Sequence, residues 1–247
     1  MRALVGAELL KLRTTRAWIG YVVALFLLSG IAAAALAGGA AAFEIDSPEY
    51  QRDLVSMSVF AGFIALLVGI ALVTAEWRHG TITRTILVTP RRARVLVAKQ
   101  IAGFLVGVVL AVLAVVVVLA VSIPVLWGEG GGFVLDAAMM GRIGWVVLAA
   151  ALAGAFGVGV GALLKSQTFA LVAVIVWTLV LEPLLRALLE LVEREGAADF
   201  LPGQALGALD GSVEDALSPA AGGVVGFAYV VGFGVLGWLR LERSDIT

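Results

Sequence analysis

One histidine, His79, and no cysteine occur among the 247 residues, so thiolate nucleophiles, sulfur-ligated metals and disulfides are excluded together. A serine hydrolase needs a base beside its nucleophile, yet His79 stands in a polar window, outside every apolar run. Metal sites need clustered His, Cys or carboxylates, and no apolar run offers a cluster. "GVGALLKS" imitates the G-x-x-x-x-G-K-[ST] outline of a phosphate-binding loop. Leu164 takes the place of the glycine before Lys165 and no strand precedes the stretch, so the backbone cradle cannot form. Lys165 reads instead as the lone positive charge of a tight turn. The remaining polar chemistry crowds into residues 76–100, "EWRHGTITRTILVTPRRARVLVAKQ", with Glu76, Gly80, Thr81, Arg84, Thr85, Pro90, Arg91 and Arg92. That inventory suits recognition better than catalysis.

These residues are positioned by a very apolar chain. Sixty-two per cent of the sequence is hydrophobic and 14% charged, where a soluble domain carries about 25% charged residues. An all-α membrane protein follows, with apolar runs over 17–37, 57–75, 95–127, 143–164, 168–189 and 219–239, each near the roughly 20 residues a bilayer core demands. The runs lack the alternation of barrel strands, so helices are the spanning element. The third run is long enough to begin outside the bilayer and tilt across it. The fifth is interrupted near its end by Glu182-Pro183. The first is too long for the apolar region of a secretory signal and reads as an uncleaved anchor, despite "ALAGGAAA" after it.

Charge sorts by side. With the N-terminus inside, one face of the membrane receives Arg2, Lys11, Arg13 and Arg16, then the six basic residues of the polar window, then Lys165, Arg240 and Arg243. The other face holds only Arg52, Arg142, Arg186 and Arg194, with 14 of the 18 acids. The positive-inside rule then places both termini in the cytoplasm and supports six spans in a multi-pass membrane protein. Span interiors are nearly free of ionisable groups, so ion-coupled carriers, proton pumps and channels with charged rings lack their usual residues. If the protein moves something, a partner supplies the energy.

Residues 2–16 form a short helical lead. Val5, Leu9 and Leu12 share a stripe, while Lys11, Arg13 and Arg16 are free to meet lipid headgroups. The glycine pairs Gly103 and Gly107, Gly157 and Gly161, and Gly222 and Gly226 have i, i+4 spacing that lets helices approach closely in lipid, within one bundle. Between spans five and six, "PLLRALLELVERE" is helical in pattern with Pro183 in its first turn, and the segment as a whole reads as a non-spanning helical hairpin on the outer face.

Within the polar window, Thr81 is a fair N-cap for "ITRTILV". Thr89-Pro90 stops that helix and starts the next, which carries "RRARVLVAKQ" into span three. A separate helix over 81–88 results. The plain alternative is a basic loop that merely satisfies the positive-inside rule.

The order Glu76, Gly80-Thr81, Leu87, Pro90, Arg92, Lys99 resembles the loop of ABC exporter permeases of the type-two class, where such a run forms the coupling helix that docks on the ATPase subunit. "AELLKLRTTRAW", with Glu8, Lys11, Arg13 and Arg16, is similar to that family's amphipathic elbow helix, and "LERSDIT" resembles its usual ending. The resemblance implies six spans, an elbow helix, a coupling helix between spans two and three and an outer insertion between spans five and six. It further implies two ATPase subunits that bind ATP and Mg, a second permease copy or paralogue, no cofactor on this chain and no nucleic acid. The expected function is the membrane subunit of an ATP-driven exporter of a hydrophobic or amphipathic compound. The alternative is a non-transporting scaffold or regulatory subunit that docks an ATPase or kinase. An intramembrane enzyme is the weakest reading.

Overall fold

A computed structural model describes residues 1–39, 46–89, 91–213 and 217–243. Pro90 of the coupling region, residues 40–42 of "ALAGGAAA" and the last four residues of "LERSDIT" therefore lie outside the described residues, as do the side chains of Arg84, Ile86, Val88 and Glu195. Among the described residues the chain is helical throughout, without strands.

Six helical stretches are long and apolar enough to cross a membrane. After α1 (Arg2–Thr14) comes α2 (Ala17–Gly38). The second stretch, Pro48–Arg78, runs through α3 (Pro48–Ser56), a 3₁₀ turn and α4 (Phe60–Arg78). Helix thus extends through "PEYQRD", ahead of the apolar run that begins at residue 57. Pro48 occupies the first turn after Ser47, where its missing N–H costs nothing, and Glu49 complements the helix N-terminus. The short α5 (Ile82–Val88) leads to α6 (Arg92–Gly128), whose 37 residues measure about 55 Å, well beyond a hydrocarbon core of about 30 Å. Helix α7 (Ala137–Leu164) completes the fourth stretch.

The fifth stretch, Gln167–Leu191, is not broken at Glu182-Pro183. α8 (Gln167–Val176) passes through a π turn, Trp177–Leu181, directly into α9 (Glu182–Leu191). A proline inside a regular helix would clash with the carbonyl four residues back, and the wider turn just before Pro183 accommodates it. The residues expected as one arm of an outer hairpin therefore prolong span five. α10 (Glu195–Ala198) and α11 (Pro202–Asp210) are too short to span, and α12 (Pro219–Glu242) is the sixth stretch.

Helix α7 is the centre of the bundle, and α4, α6 and α12 pack around it. Small residues make this geometry accessible: a Cβ at Gly103 would stand 2.6 Å from the Gly154 carbonyl oxygen, and one at Gly107 would collide with that of Ala150. Gly157 and Gly161 face Leu66 and Ile70 of α4 in the same manner. Gly222 abuts Ala205 of α11, and Gly226 meets Leu206 and Leu152. Lipid offers no hydrophobic drive for helix association, so such close backbone approach is what holds the core together. The N-terminal helix, α5 and the C-terminal end of α12 gather at one end, called here the basic end; α3, α9 and α11 lie toward the opposite, acidic end.

Candidate functional site

The basic end is organised by four charged side chains from three elements. α1 turns Glu8 inward between Val5, Leu9 and Leu12, which pack on the core near Leu72, Leu96 and Leu241. Lys99, about two turns inside α6, is only 2% exposed. Its ammonium lies 2.6 Å from Glu8 and 2.9 Å from Glu76 at the end of α4, and donates to the Leu72 carbonyl at 2.9 Å. Lys11 closes the ring, 2.7 Å from Glu8 and 2.6 Å from Glu76. Two cations and two carboxylates alternate, so each buried charge has opposite neighbours, as a low-dielectric setting demands. Burial alone would lower the Lys11 ammonium, but the hydrogen bonds and charges of Glu76 and Glu8 outweigh it and hold its pKa above the usual value. Lys11 is thus turned to the ring, not to a headgroup layer, whereas Arg13 and Arg16 are exposed.

The chain leaves α4 through a left-handed residue, Gly80, with φ of +63°. The Gly80 N–H donates to Trp77 and the Thr81 N–H to Glu76, which satisfies the last carbonyls of α4. Gly80 therefore ends one helix sharply, and Thr81, although first before α5, makes no side-chain cap. Thr85 Oγ1 donates back to the Thr81 carbonyl at 3.4 Å. α5 buries Ile82 and leaves Leu87 76% exposed, with Thr81 and Thr83 also exposed. Thr89 is the C-cap of α5 and not the cap of α6, whose N-cap is the exposed Arg91.

Arg92 reaches the far end of α12, donating to the carbonyls of Leu241 and, at 3.2 Å, of Glu242. Lys165, in the left-handed turn between α7 and α8, donates to the Arg240 carbonyl at 3.2 Å and stands 5.0 Å over the Trp77 ring. Both cations complement the negative end of the α12 dipole. Burial, then the charges of Arg240 and Arg92, lower the Lys165 pKa. The ends of α1, α4, α6, α7 and α12 are in this way cross-linked by polar contacts at the basic end, where α5 joins α4 to α6.

The sequence pattern of the ABC-2 family of transporter proteins matches residues 29–246. The chain belongs to the ABC-2 transporter family. No curated protein matches it. As an ABC-2 protein it is a multi-pass permease subunit of an ABC transporter, a transport component that works with an ABC ATPase subunit. The ABC-2 match begins inside α2, so α1 with Glu8 and Lys11 precedes it.

Among the residues read from sequence, Glu8, Lys11 and Glu76 meet in the ring, and Arg92 joins α6 to α12. Gly80, Thr81, Thr85 and Arg91 sit along the α4–α5–α6 connection, where Arg84 also lies. The six packing glycines are buried at helix crossings inside the chain. Lys99, an inside charge and the last residue of the run that resembles the permease loop, is the buried hub of the ring. Its signal is positional: seven residues after Arg92 it shares that face of the helix two turns further in, within an apolar run.

Proposed function

We propose that this ABC-2 permease is the membrane subunit of an exporter and that α5 is where its ATPase docks. The carrying observation is α5 itself, a separate helix held between the ends of α4 and α6 with an exposed Leu87, beside a ring that joins α1, α4 and α6. Force applied to a helix so held passes into α4 through Gly80 and into α6 through Arg91. Glu76 and Lys99 make those two helices and α1 move together, and Arg92 extends the linkage to α12. Thr81, Arg84, Thr85, Pro90 and Arg91 are the residues of this connection that the reading assigns to the ATPase contact.

The basic end then faces the cytoplasm of a bacterial cell, in keeping with the positive-inside distribution of Lys and Arg. Two ATPase subunits, which bind ATP and Mg, act on two permease chains, either copies or paralogues, and a hydrophobic or amphipathic compound leaves the cell. The test is reconstitution with the cognate ATPase and measurement of substrate-stimulated ATP hydrolysis and of uptake into inside-out vesicles. Arg84→Glu with Thr85→Asp abolishes both stimulation and uptake while the permease stays folded. Retained stimulation in that variant overturns the docking assignment, and ATP-driven movement only in the opposite direction overturns export.

A further inference from the structure

Towards the acidic end, α7, α11, α12, α4 and the π turn line a half-open cavity of about 550 Å³, within the roughly 300–1,000 Å³ of small-molecule sites. Its wall is apolar and aromatic, and Phe156 anchors it with edge-on contacts to Phe233 at 4.9 Å and Tyr229 at 6.0 Å between ring centroids. Trp177 of the π turn contributes a further ring.

Two carboxylates line this wall, Glu182 at 4% exposure and Asp210 at 5%, and among the described residues no Lys, Arg or His does. Glu182 accepts from Trp177 Nε1 at 2.7 Å and from the Gln204 backbone N–H at 2.9 Å, both neutral donors. Among the described residues no basic group stands within 4.0 Å of Glu182. Arg186, one turn along α9, is held by Glu190 at 2.9 Å and Gln204 at 3.3 Å. Asp210 accepts the Ser212 N–H at 3.0 Å, and the Arg142 guanidinium that attracts it packs against Gly211, outside the wall. A buried carboxylate with only neutral donors retains most of its unsatisfied charge, and a cation entering an apolar chamber beside it recovers that energy. Ring faces favour the same sign of ligand, since their quadrupoles attract cations.

We propose that this cavity binds a lipophilic organic cation, with Glu182 as the principal counter-charge, Asp210 as the second and the Phe156–Tyr229–Phe233 group as the aromatic wall. As the substrate class of the exporter, the assignment rests on the proposed function; as a binding site, it stands alone.

Tetraphenylphosphonium and tetraphenylborate share shape and hydrophobicity and differ in the sign of charge, so they isolate the electrostatic claim. Binding of each is measured by titration calorimetry to the purified chain in neutral detergent, for wild type, Glu182→Gln and Asp210→Asn, with thermal unfolding as a check on folding. Glutamine keeps an acceptor for the Gln204 N–H and removes the charge. Phosphonium affinity falls about ten-fold in Glu182→Gln and less in Asp210→Asn, while borate affinity stays level or rises. Comparing variant with wild type for one ion cancels partition into the micelle. Unchanged phosphonium affinity in both variants overturns the proposal, and so does an equal loss for both ions. Phosphonium binding without ATP-driven movement keeps the site and removes its assignment as the exporter's substrate site. ATP-driven export of some other compound, with no charge-dependent binding here, removes the site alone.

Discussion

Lys99 and Glu8 meet at 2.6 Å although 91 residues separate them, and the contact bolts the first helix of the chain to the start of the third membrane stretch. Glu76 shares the same ammonium, so removing Lys99 leaves two buried carboxylates with the half-exposed Lys11 as their one remaining counter-charge in the ring. Breaking a buried pair by removing one partner costs about 3–5 kcal/mol. Lys99→Met therefore lowers the unfolding midpoint in neutral detergent sharply, and adding Glu76→Gln to that variant restores part of the loss. A single variant as stable as wild type would show the ring to be incidental.

Lys11 makes equally short contacts to the same two carboxylates, yet its side chain is 47% exposed. Solvent screening reduces such a pair to about 1 kcal/mol or less. Lys11→Ala is accordingly the mild member of the set, and its small effect disappears as ionic strength rises, whereas that of Lys99→Met persists. Equal penalties for the two lysines would contradict the burial difference between them.

The glycines divide by what a methyl group would meet. At Gly107 an added Cβ collides with the Ala150 carbonyl and lies 2.7 Å from Ala151 Cα, while at Gly232 it meets nothing within 4 Å. Gly107→Ala forces α6 from α7 and costs about 1–3 kcal/mol. Gly232→Ala is neutral or stabilising by up to about 1 kcal/mol, through helix propensity. Thermal unfolding of the pair, in one detergent and on one day, reads the contrast directly.

Much of this architecture is legible in the sequence because hydropathy and side-sorted charge are properties of single residues. The six long helices follow from them, and so does a helix between Gly80 and Thr89. The ring was harder. Glu8 interrupts the Val5–Leu9–Leu12 stripe, and an acid centred in an apolar stripe already signals a buried partner, but naming that partner requires knowing that α1 crosses α6. Glu182-Pro183 misled for a different reason. Proline reads as a helix break in sequence, and only the surrounding packing selects a π turn that lets the helix continue. Gly80 also illustrates the limit: its presence marks a boundary, while its positive φ shows that it ends α4 instead of opening α5.

Asp210 gives the last stability test, by pH. Burial pushes its carboxyl up from 3.8 to about 6, against the Ser212 hydrogen bond and the charge of Arg142. A folded-state pKa above the unfolded one means that the folded chain binds more protons between those values, so stability falls as pH rises from about 4 to about 6. The penalty is fully present above that window and amounts to at most about 3 kcal/mol for a shift of roughly two units. Asparagine cannot ionise and keeps an acceptor for the Ser212 N–H. Asp210→Asn is therefore more stable than wild type at pH 7, and its advantage shrinks as pH falls through 6 toward 4. Unfolding midpoints of both proteins across that range check the sign, and a difference that does not change with pH would remove Asp210 from the account.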